Sequence, residues 1–519
     1  MIAIMAGPAP GAGFGLDRAM DEPTARAMLN RFGYGATPSS LSVAMTQSPR
    51  LYLLHAIVDR SRLPATVSNQ IASLPVSQPL EAQWTRLGPG GTARDLGVGG
   101  EALKELQQEE NRYASAAIQA RLLTMANADN PGHEALLSFW LNHFSIYAPQ
   151  NLDKILAWDY VRSIDLAMQA DSFEALLRAS FFHPAMQVYL DNAQSTAVSS
   201  IAAERAVDRG KKFGINENLA RELLELHTLG VNSGYAQNDV LELARIITGA
   251  GMYSPRMNDA ALLRAGAIRK GLFLFDPRRH DFGPKKFLGE QFPAGQGIAE
   301  IDRAIHLMVI HPATGRRIAE KLAQRFLNDQ PPPEVLDAMT TGFRRSGGKI
   351  SATLLPLLES PAFASSLFQP SKFKEPLDYV LSAARAACGD TPIINRQILA
   401  ASVLDMGEAP LMHTAPDGYG SREADWLSPA AMAKRVRLAI GIASERLPFA
   451  RGNDDEVGRL RALEQNREGL MQGDPCKIDS NSLERLIGPL SPATTASATG
   501  LPARERNAFL LASPEFMRR

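Results

Sequence analysis

Residues able to do acid/base chemistry are densest in residues 216–230, which read NENLARELLELHTLG. Three glutamates, two asparagines, an arginine and a histidine fall within this segment. If the segment lines a cleft, Arg221 would keep one carboxylate ionised while burial would raise the pKa of another. Acid/base catalysis uses carboxyl groups whose pKa values are separated in this way. We therefore predict Glu222 and Glu225 as catalytic residues and Arg221 and Asn218 as substrate-binding residues.

Helical geometry places the polar side chains of this segment on one face. Successive residues of an α-helix turn by about 100°, which puts five of them on one arc: Glu217, Asn218, Arg221, Glu222 and Glu225. His227 falls among leucines, roughly 160° from Glu225 by the same count, so a Glu/His pair of the di-iron type is not formed. The arc also has a structural interpretation, since Glu217, Arg221 and Glu225 have the spacing of a surface ion-pair ladder. Both interpretations stay open.

The stretch FWLNHFSIY carries aromatic side chains and a histidine at helical spacing. An aromatic surface beside an imidazole suits a sugar-binding or catalytic site. On this basis we predict His143 as catalytic and Trp140 and Asn142 as substrate-binding. The alternative is that the aromatic stripe and its histidine belong to the core.

The stretch RRHDFGPKKFLG gathers basic side chains around a histidine at a turn. It is either a solvated hairpin tip or an anion site for carboxylate, phosphate or sulfate. We predict His280 as catalytic and Arg279 as substrate-binding. Asp191, in a loop that follows a helix, and Tyr235 complete the predicted substrate-binding set, because polar loop residues often carry function.

Composition excludes several classes of protein. The 519 residues contain 55 basic and 55 acidic side chains, and this balance argues against nucleic acid as a partner. Cys388 and Cys476 are far apart without ligand-like spacing, so we expect neither a disulfide framework nor a cysteine zinc site. No P-loop, zincin, nucleophile-elbow or dinucleotide motif is present, and the cofactor is left open.

Targeting signals are weak. No apolar run approaches the roughly 20 residues that cross a bilayer, so no transmembrane segment is expected. The first residues lack a basic region before an apolar one, as a signal peptide would have. The chain is expected to be soluble, and either cytoplasmic, if it is complete, or periplasmic or exported, if a leader was removed.

Helical periodicity dominates, which predicts a mostly α, multi-helical globular protein. Alternating apolar residues predict one small β-hairpin near residues 270–290, and a glycine-rich loop is predicted at 86–100. The expected organisation is a flexible segment (1–24), a main helical domain (25–370) and a C-terminal helical subdomain (371–519) packed on it.

Several phrases occur together in a recognisable order, namely LNRFGYGATP, FWLNHF, HPAMQVYLDN, NENLARELLELHTLG, HDFGPKKFLG, HPATGRRIAEKLAQRF and APDGYGSREADW. From about Ala25 to the C-terminus the chain resembles the bacterial family known as domain of unknown function eighteen hundred. The resemblance implies a mostly helical bacterial protein and supplies no agreed activity. Members often carry export signals, and their genes often neighbour sulfatase-like proteins. This implies a role at the cell envelope or on polysaccharide and a sulfatase-like partner protein.

Two classes of function follow. The first is an enzyme that uses Glu222, Glu225, His143 and His280 on a polysaccharide, another glycan or a small anionic substrate. The second is a non-catalytic binding or assembly protein of the cell envelope, in which the polar arc is a ladder and the histidines are core. A metal-binding protein is a weaker alternative. Convergence of the four predicted catalytic residues in one pocket would favour the first class.

Overall fold

The predicted mostly α fold is confirmed. A computed structural model describes six ranges of the chain: 15–89, 100–207, 214–231, 233–369, 371–451 and 475–519. Most of the glycine-rich loop predicted at 86–100 and the first part of the segment predicted at 1–24 lie outside these ranges. Within them, no helix is long and apolar enough to cross a membrane.

Many helices begin at the same chemical signal, an N-cap side chain followed by proline in the first turn. Asp21, Ser48 and Ser360 each accept a backbone N–H from three residues further on, which satisfies a donor that the helix itself leaves unpaired. The helices of the first half of the chain are α1 (Glu22–Arg31), α2 (Pro38–Ala44), α3 (Pro49–Val58), α4 (Ala65–Ala72), α5 (Leu80–Leu87), α6 (Gly100–Asn127), α7 (Pro131–His143), α8 (Asp153–Met168), α9 (Phe173–Phe181), α10 (Pro184–Tyr189), α11 (Ile201–Val207), α12 (Asn218–Glu222), α13 (Gln237–Ile246) and α14 (Asp259–Arg264).

The second half repeats the pattern. Its helices are α15 (Ile298–Ile310), α16 (Pro312–Phe326), α17 (Pro333–Ser346), α18 (Ile350–Glu359), α19 (Pro361–Phe368), α20 (Pro376–Cys388), α21 (Arg396–Met406), α22 (Glu423–Trp426), α23 (Pro429–Ala443), α24 (Ser480–Ile487), α25 (Pro492–Ala498) and α26 (Ala503–Leu511). Helix α12 continues directly into a π-helix, Leu223–His227. Short 3-10 turns occur at Pro75–Ser77, Asn192–Gln194 and Pro277–Arg279.

The β-structure near residues 270–290 consists of two small antiparallel sheets. The first has the order β1-β3-β2, and the second pairs β4 with β5. The strands are β1 (Ala250–Met252), β2 (Ile268–Lys270), β3 (Phe273–Phe275), β4 (Lys285–Phe287) and β5 (Glu290–Phe292). The segment expected to be the turn of one hairpin therefore connects two sheets. Asp276 accepts the backbone N–H of Arg278 and starts a 3-10 turn there, while β3 pairs with the distant β1, which local alternation does not reveal.

Two large apolar clusters form the core. The larger one contains Trp84, Trp140 and Phe173. The second is built around Tyr379 of α20 and takes most of its members from the last third of the chain, together with Tyr34 and part of α6. The C-terminal helices therefore share buried apolar surface with the long helix α6, and this contact holds α20 in place beside α7 and α16.

The expectation that the two cysteines are unpaired is wrong. Cys388 and Cys476 form a disulfide across a sequence separation of 88 residues. Cys388 is the last residue of α20, and Cys476 lies just before α24. Spacing along the chain carries no information on how the tertiary fold brings two such residues together, and so the sequence did not predict the bond.

We expect reduction of this disulfide to lower the free energy of unfolding by about 2–4 kcal/mol, because an open chain has more conformations to lose on folding. Melting temperatures with and without dithiothreitol measure the effect. The double variant Cys388→Ser/Cys476→Ser should melt at the temperature of the reduced wild type and should not respond to the reductant. Identical melting of wild type with and without dithiothreitol would contradict the prediction.

Candidate functional site

A cleft lies where the C-terminal end of α7 faces α16, the start of α20 and the loop 408–421. The cavity has a volume of about 110 Å³. Its lining contains acidic, basic and amide side chains, among them Asn142, Lys321, Asp378, Glu408 and Asp417. We call this cavity the cleft. Convergent ionisable groups in a concave site are the usual starting point for a functional assignment.

Asn142 holds the loop that closes the cleft. Its Nδ2 donates to the carbonyl of Tyr419 at 2.9 Å, and its Oδ1 accepts the Tyr419 N–H at 2.7 Å. Gly418 lies against the backbone of Asn142 with φ +75°, and a Cβ there would come within 2.3 Å of the Asn142 carbonyl oxygen. Only glycine fits this position, because both the conformation and the close approach exclude a side chain. The predicted substrate-binding amide thus positions the loop.

Lys321 places an amine in the cleft next to His143. Its Nζ donates to His143 Nδ1 at 3.2 Å. His143 Nε2 donates to the carbonyl oxygen of His227 at 3.0 Å, and this bond fixes Nδ1 as the acceptor. Burial, reinforced by the charge of Lys321, holds the pKa of His143 well below its usual value, so the imidazole is neutral. His143 therefore orients the amine and adds no positive charge.

The pKa of Lys321 is lowered toward neutral pH. Burial and the neighbouring Arg317 lower the pKa of Lys321 to about 8, while Asp417 acts in the opposite direction. In the described part of the chain, no carboxylate lies within 4.0 Å of the Lys321 amine. A desolvated lysine beside another cation is the environment in which lysine serves as a base or nucleophile.

The π-helix Leu223–His227 is connected to Lys321 through His143, which bonds to the carbonyl of His227 and to the Lys321 amine. The last carbonyl groups of a helix have no backbone partner. Here Arg317 Nε donates to the carbonyl of Leu226 at 3.2 Å, and His143 takes the carbonyl of His227. A cation at this end also suits the helix dipole. The π-helix is rare and often marks functional sites, and its position ties the segment 216–230 to the cleft.

Two buried carboxyl groups of the cleft have pKa values that move in opposite directions. Burial and the charges of Glu375 and Asp378 raise the pKa of Glu408 well above its usual value, and the carboxyl group of Glu408 accepts the backbone N–H of Leu377 at 2.8 Å. Burial alone would also raise the pKa of Asp378, but Arg325 and Arg519 lower it to about 2. The environment of Glu408 therefore favours its protonated form, while Asp378, with a pKa of about 2, is an anion at pH 7.

The glutamates of the segment 216–230 divide between two roles. Arg221 pairs with Glu217 at 3.2 Å and with Glu225 at 3.3 Å, all three being partly exposed, which is the predicted ion-pair ladder. Glu222 is different, because burial and the charge of Glu225 raise its pKa, and Asp417 of the cleft loop adds to the shift. Glu222 does not itself line the cleft, and its link to it is this charge interaction with Asp417.

The structure brings together only part of the predicted site. Asn142 lines the cleft, but none of the four predicted catalytic residues does. His143 contacts the lining residue Lys321, Asp417 of the lining acts on the charge of Glu222, and Tyr235 is hydrogen-bonded to Glu225 of the ladder. Asn218 is exposed at the start of α12. The side chain of Trp140 is fully buried in the core. His280 is buried elsewhere, between Phe275 and Phe282, and its Nδ1 donates to the carbonyl of Thr248 at 2.8 Å. Asp191 and Arg279 line a separate groove. Their functional roles stay predictions.

Sequence reasoning missed Lys321, Glu408 and Asp417. One signal was available, because Arg317, Lys321 and Arg325 recur at i, i+4, i+8 in α16. Like charges at this spacing destabilise an isolated helix, so such a stripe indicates partners elsewhere in the fold. Glu408 carried no local signal, since its raised pKa depends on carboxylates brought close by α20.

The fold and the cleft define a helical protein with an ionisable site closed by a loop. The chain belongs to the family described as "Protein of unknown function (DUF1800)", whose model matches residues 27–518. Searches of curated proteins and of solved structures found no match to the chain. In the described residues, no group of three or more His, Cys, Asp or Glu side chains is placed to hold a metal ion.

Proposed function

We propose that the protein is an enzyme that performs acid/base chemistry in the cleft. The observation that carries this proposal is that two ionisable groups with shifted pKa values line the same cavity: the carboxyl group of Glu408, whose pKa is raised, and the amine of Lys321, whose pKa is lowered to about 8. Glu408 holds a proton that it can give to a leaving group, and Lys321 can take a proton from a substrate. Catalytic groups work best when their pKa lies near the operating pH.

The other residues of the cleft support this pair. Asn142 and Gly418 fix the loop, His143 directs Lys321, and Asp417 sets part of its charge environment. Glu222, which sequence analysis predicts as catalytic, is a second carboxyl group with a raised pKa, and its shift includes the charge of the lining residue Asp417.

The size of the cavity limits the group that enters. A volume of about 110 Å³ lies below the range of roughly 300–1,000 Å³ that encloses a drug-sized ligand. The reacting group of the substrate therefore enters the cleft, and the remainder stays outside. Glycans and small anionic compounds form the first substrate class to screen, and a sulfatase-like partner belongs to the same proposal through the family resemblance alone.

A substrate screen followed by one matched pair of variants tests the proposal. Glu408→Gln removes the acidic proton and keeps the shape, and we expect kcat to fall by roughly tenfold or more. Glu423→Gln is the control, because Glu423 is partly exposed and pairs with Arg518 outside the cavity lining. Turnover that is equal in both variants would remove Glu408 from the mechanism.

A non-catalytic binding or assembly protein is the second candidate. It is favoured by the ladder of Glu217, Arg221 and Glu225, which is partly exposed and lies outside the lining of the cleft. In this case Arg221→Ala would weaken binding to an envelope partner, while Glu408→Gln would leave that binding unchanged. Loss of turnover in Glu408→Gln, with unchanged turnover in Arg221→Ala, supports the enzyme instead.

A further inference from the structure

A second cavity, larger and more open than the cleft, lies beside α10. Its volume is about 780 Å³, within the range of small-molecule sites. We call it the amide groove, because four carboxamide side chains line it: Gln107, Asn111, Asn151 and Gln194. Gln107 and Asn111 lie one turn apart in α6, Asn151 precedes α8, and Gln194 ends the 3-10 turn Asn192–Gln194. A carboxamide both donates and accepts hydrogen bonds, so this lining suits a ligand that carries several hydroxyl groups.

Arg279 contributes to the amide groove a guanidinium group whose hydrogen bonds go to neutral acceptors. Its Nε donates to Thr196 Oγ1 at 3.0 Å and its Nη2 to the carbonyl of Ser195 at 2.7 Å. Both acceptors are neutral, and among the described residues no carboxylate lies within 4.0 Å of the guanidinium. Burial lowers the pKa of Arg279, but an arginine keeps its proton at any ordinary pH. The side chain is therefore a fixed cation that makes no direct ion pair with a carboxylate of the described residues, although the charge of Asp276 acts on it.

The adjacent Arg278 shows the contrast. It donates from Nε and Nη2 to the two carboxylate oxygens of Asp276, at 2.9 and 2.8 Å. This bidentate pair neutralises it within its own turn. Of these two consecutive arginines, Arg278 is paired with a carboxylate and Arg279 is bonded to neutral acceptors. Of the two, only Arg279 lines the groove.

The groove contains three other charged side chains. Lys154 also lines it, and in the described structure no carboxylate lies within 4.0 Å of its amine. Glu110 and Asp191 line it as well. Because carboxylates only accept hydrogen bonds, Asp191 can receive hydroxyl groups of a ligand while Arg279 and Lys154 meet its negative charge.

We propose that the amide groove binds an acidic sugar. The carboxylate, sulfate or phosphate group of this ligand pairs with Arg279, whose planar fork matches such groups, and the ring hydroxyls meet the carboxamides. Arg279 is specific for the charge, and the amides are specific for the hydroxyl-bearing body. The site is separate from the cleft, so its existence does not depend on the acid/base reaction.

Isothermal titration at low salt tests the site with defined probes. The probes are tetragalacturonate, a sulfated tetrasaccharide, a phosphorylated tetrasaccharide, neutral cellotetraose, inorganic sulfate and inorganic phosphate. We expect acidic tetrasaccharides to bind more tightly than cellotetraose and more tightly than the inorganic ions. The acidic tetrasaccharide with the highest affinity identifies the acid group.

Matched variants locate the binding. Arg279→Gln should weaken binding of the acidic probe by roughly 10–100-fold, the range for a hydrogen bond to a charged group. Arg278→Gln removes the same formal charge from the neighbouring residue and should leave the affinity within twofold of wild type. Lys154→Gln is a second groove variant that keeps the test valid if Arg279→Gln does not fold, and it should also weaken binding.

Three results would overturn the proposal. The first is equal affinity for neutral and acidic tetrasaccharides. The second is binding of inorganic anions as tightly as of acidic sugars, which would leave an anion site without sugar recognition. The third is an unchanged affinity in both groove variants.

Discussion

Lys321 is expected to react with a small amine-modifying reagent at half its maximal rate near pH 8. Burial and Arg317 lower the pKa of Lys321 to about 8, whereas an ordinary lysine titrates near about 10.4. At pH 8, about half of the Lys321 side chains would be unprotonated, on the order of a hundred times the fraction of an ordinary lysine. Competitive reductive methylation at a series of pH values, read by peptide mass spectrometry, measures the profile. The exposed Lys104 serves as the reference amine.

The midpoint of this profile should move in opposite directions in two variants. Asp417 raises the pKa of Lys321 and Arg317 lowers it. Asp417→Asn should therefore move the midpoint to lower pH, and Arg317→Gln should move it to higher pH. The midpoint does not depend on how easily the reagent reaches the partly buried amine. A wild-type profile parallel to that of Lys104 would show that the cleft does not hold an activated lysine, and the acid/base proposal would lose its base.

Asp378→Asn is expected to lower the free energy of unfolding by about 3–5 kcal/mol at pH 7, the range for breaking a buried ion pair on one side. Arg325 donates to both Asp378 oxygens at 2.8 and 2.9 Å, and Arg519 Nη1 lies 2.8 Å from Oδ2. All three side chains are buried. The variant leaves two buried guanidinium groups with Glu375 as the shared carboxylate.

Urea unfolding monitored by circular dichroism measures this loss. Asp405→Asn is the matched control, because Asp405 is 58% exposed and pairs only loosely with Lys434 and Arg437, at 3.6 and 3.9 Å. Exposed pairs of this kind contribute about 0–1 kcal/mol. Equal losses in the two variants would mean that the buried network does not stabilise the fold.

The lowered pKa of Asp378 also predicts how the free energy of unfolding decreases at acid pH. The pKa of Asp378 is about 2 in the folded protein and would be about 3.9 in the unfolded chain. A lowered carboxyl pKa contributes stability that is complete above the unfolded value and is lost as pH falls through the folded value. Wild type should therefore lose this contribution between about pH 4 and pH 2. Asp378→Asn should lack that part of the pH dependence, and an identical acid limb would contradict the assignment.

The helical fold was predictable because its signals are local. N-caps such as Asp21 and Ser48, with prolines behind them, specify where helices begin, and apolar periodicity specifies which face is buried. The position of the β-structure was predictable for the same reason. Its division into two sheets was not, because β3 pairs with β1 across an intervening helix.

The cleft was predictable only where one segment carries its residues. The stretch FWLNHF directed attention to Asn142, which lines the cleft, and to His143, which contacts the lining residue Lys321. Lys321 and Glu408 lie 87 residues apart in the sequence, and their properties depend on desolvation and on charges from other helices. His280 was predicted as catalytic on the same grounds as His143, yet it is buried away from the cleft. Its local sequence does not specify which other parts of the chain pack around it.

By itself the sequence determined the mostly α class, the helix boundaries that depend on caps, the balanced net charge and the family to which the chain belongs. These properties depend on composition or on residues within one or two helical turns of each other. The tertiary structure alone decided that Cys388 and Cys476 form a disulfide and that Lys321 and Glu408 share a cavity. It also decided that Arg278 forms an ion pair while Arg279, among the described residues, bonds only to neutral acceptors. Ionisation and pairing depend on distances of a few ångströms between side chains that are remote in sequence, and only the folded chain sets those distances.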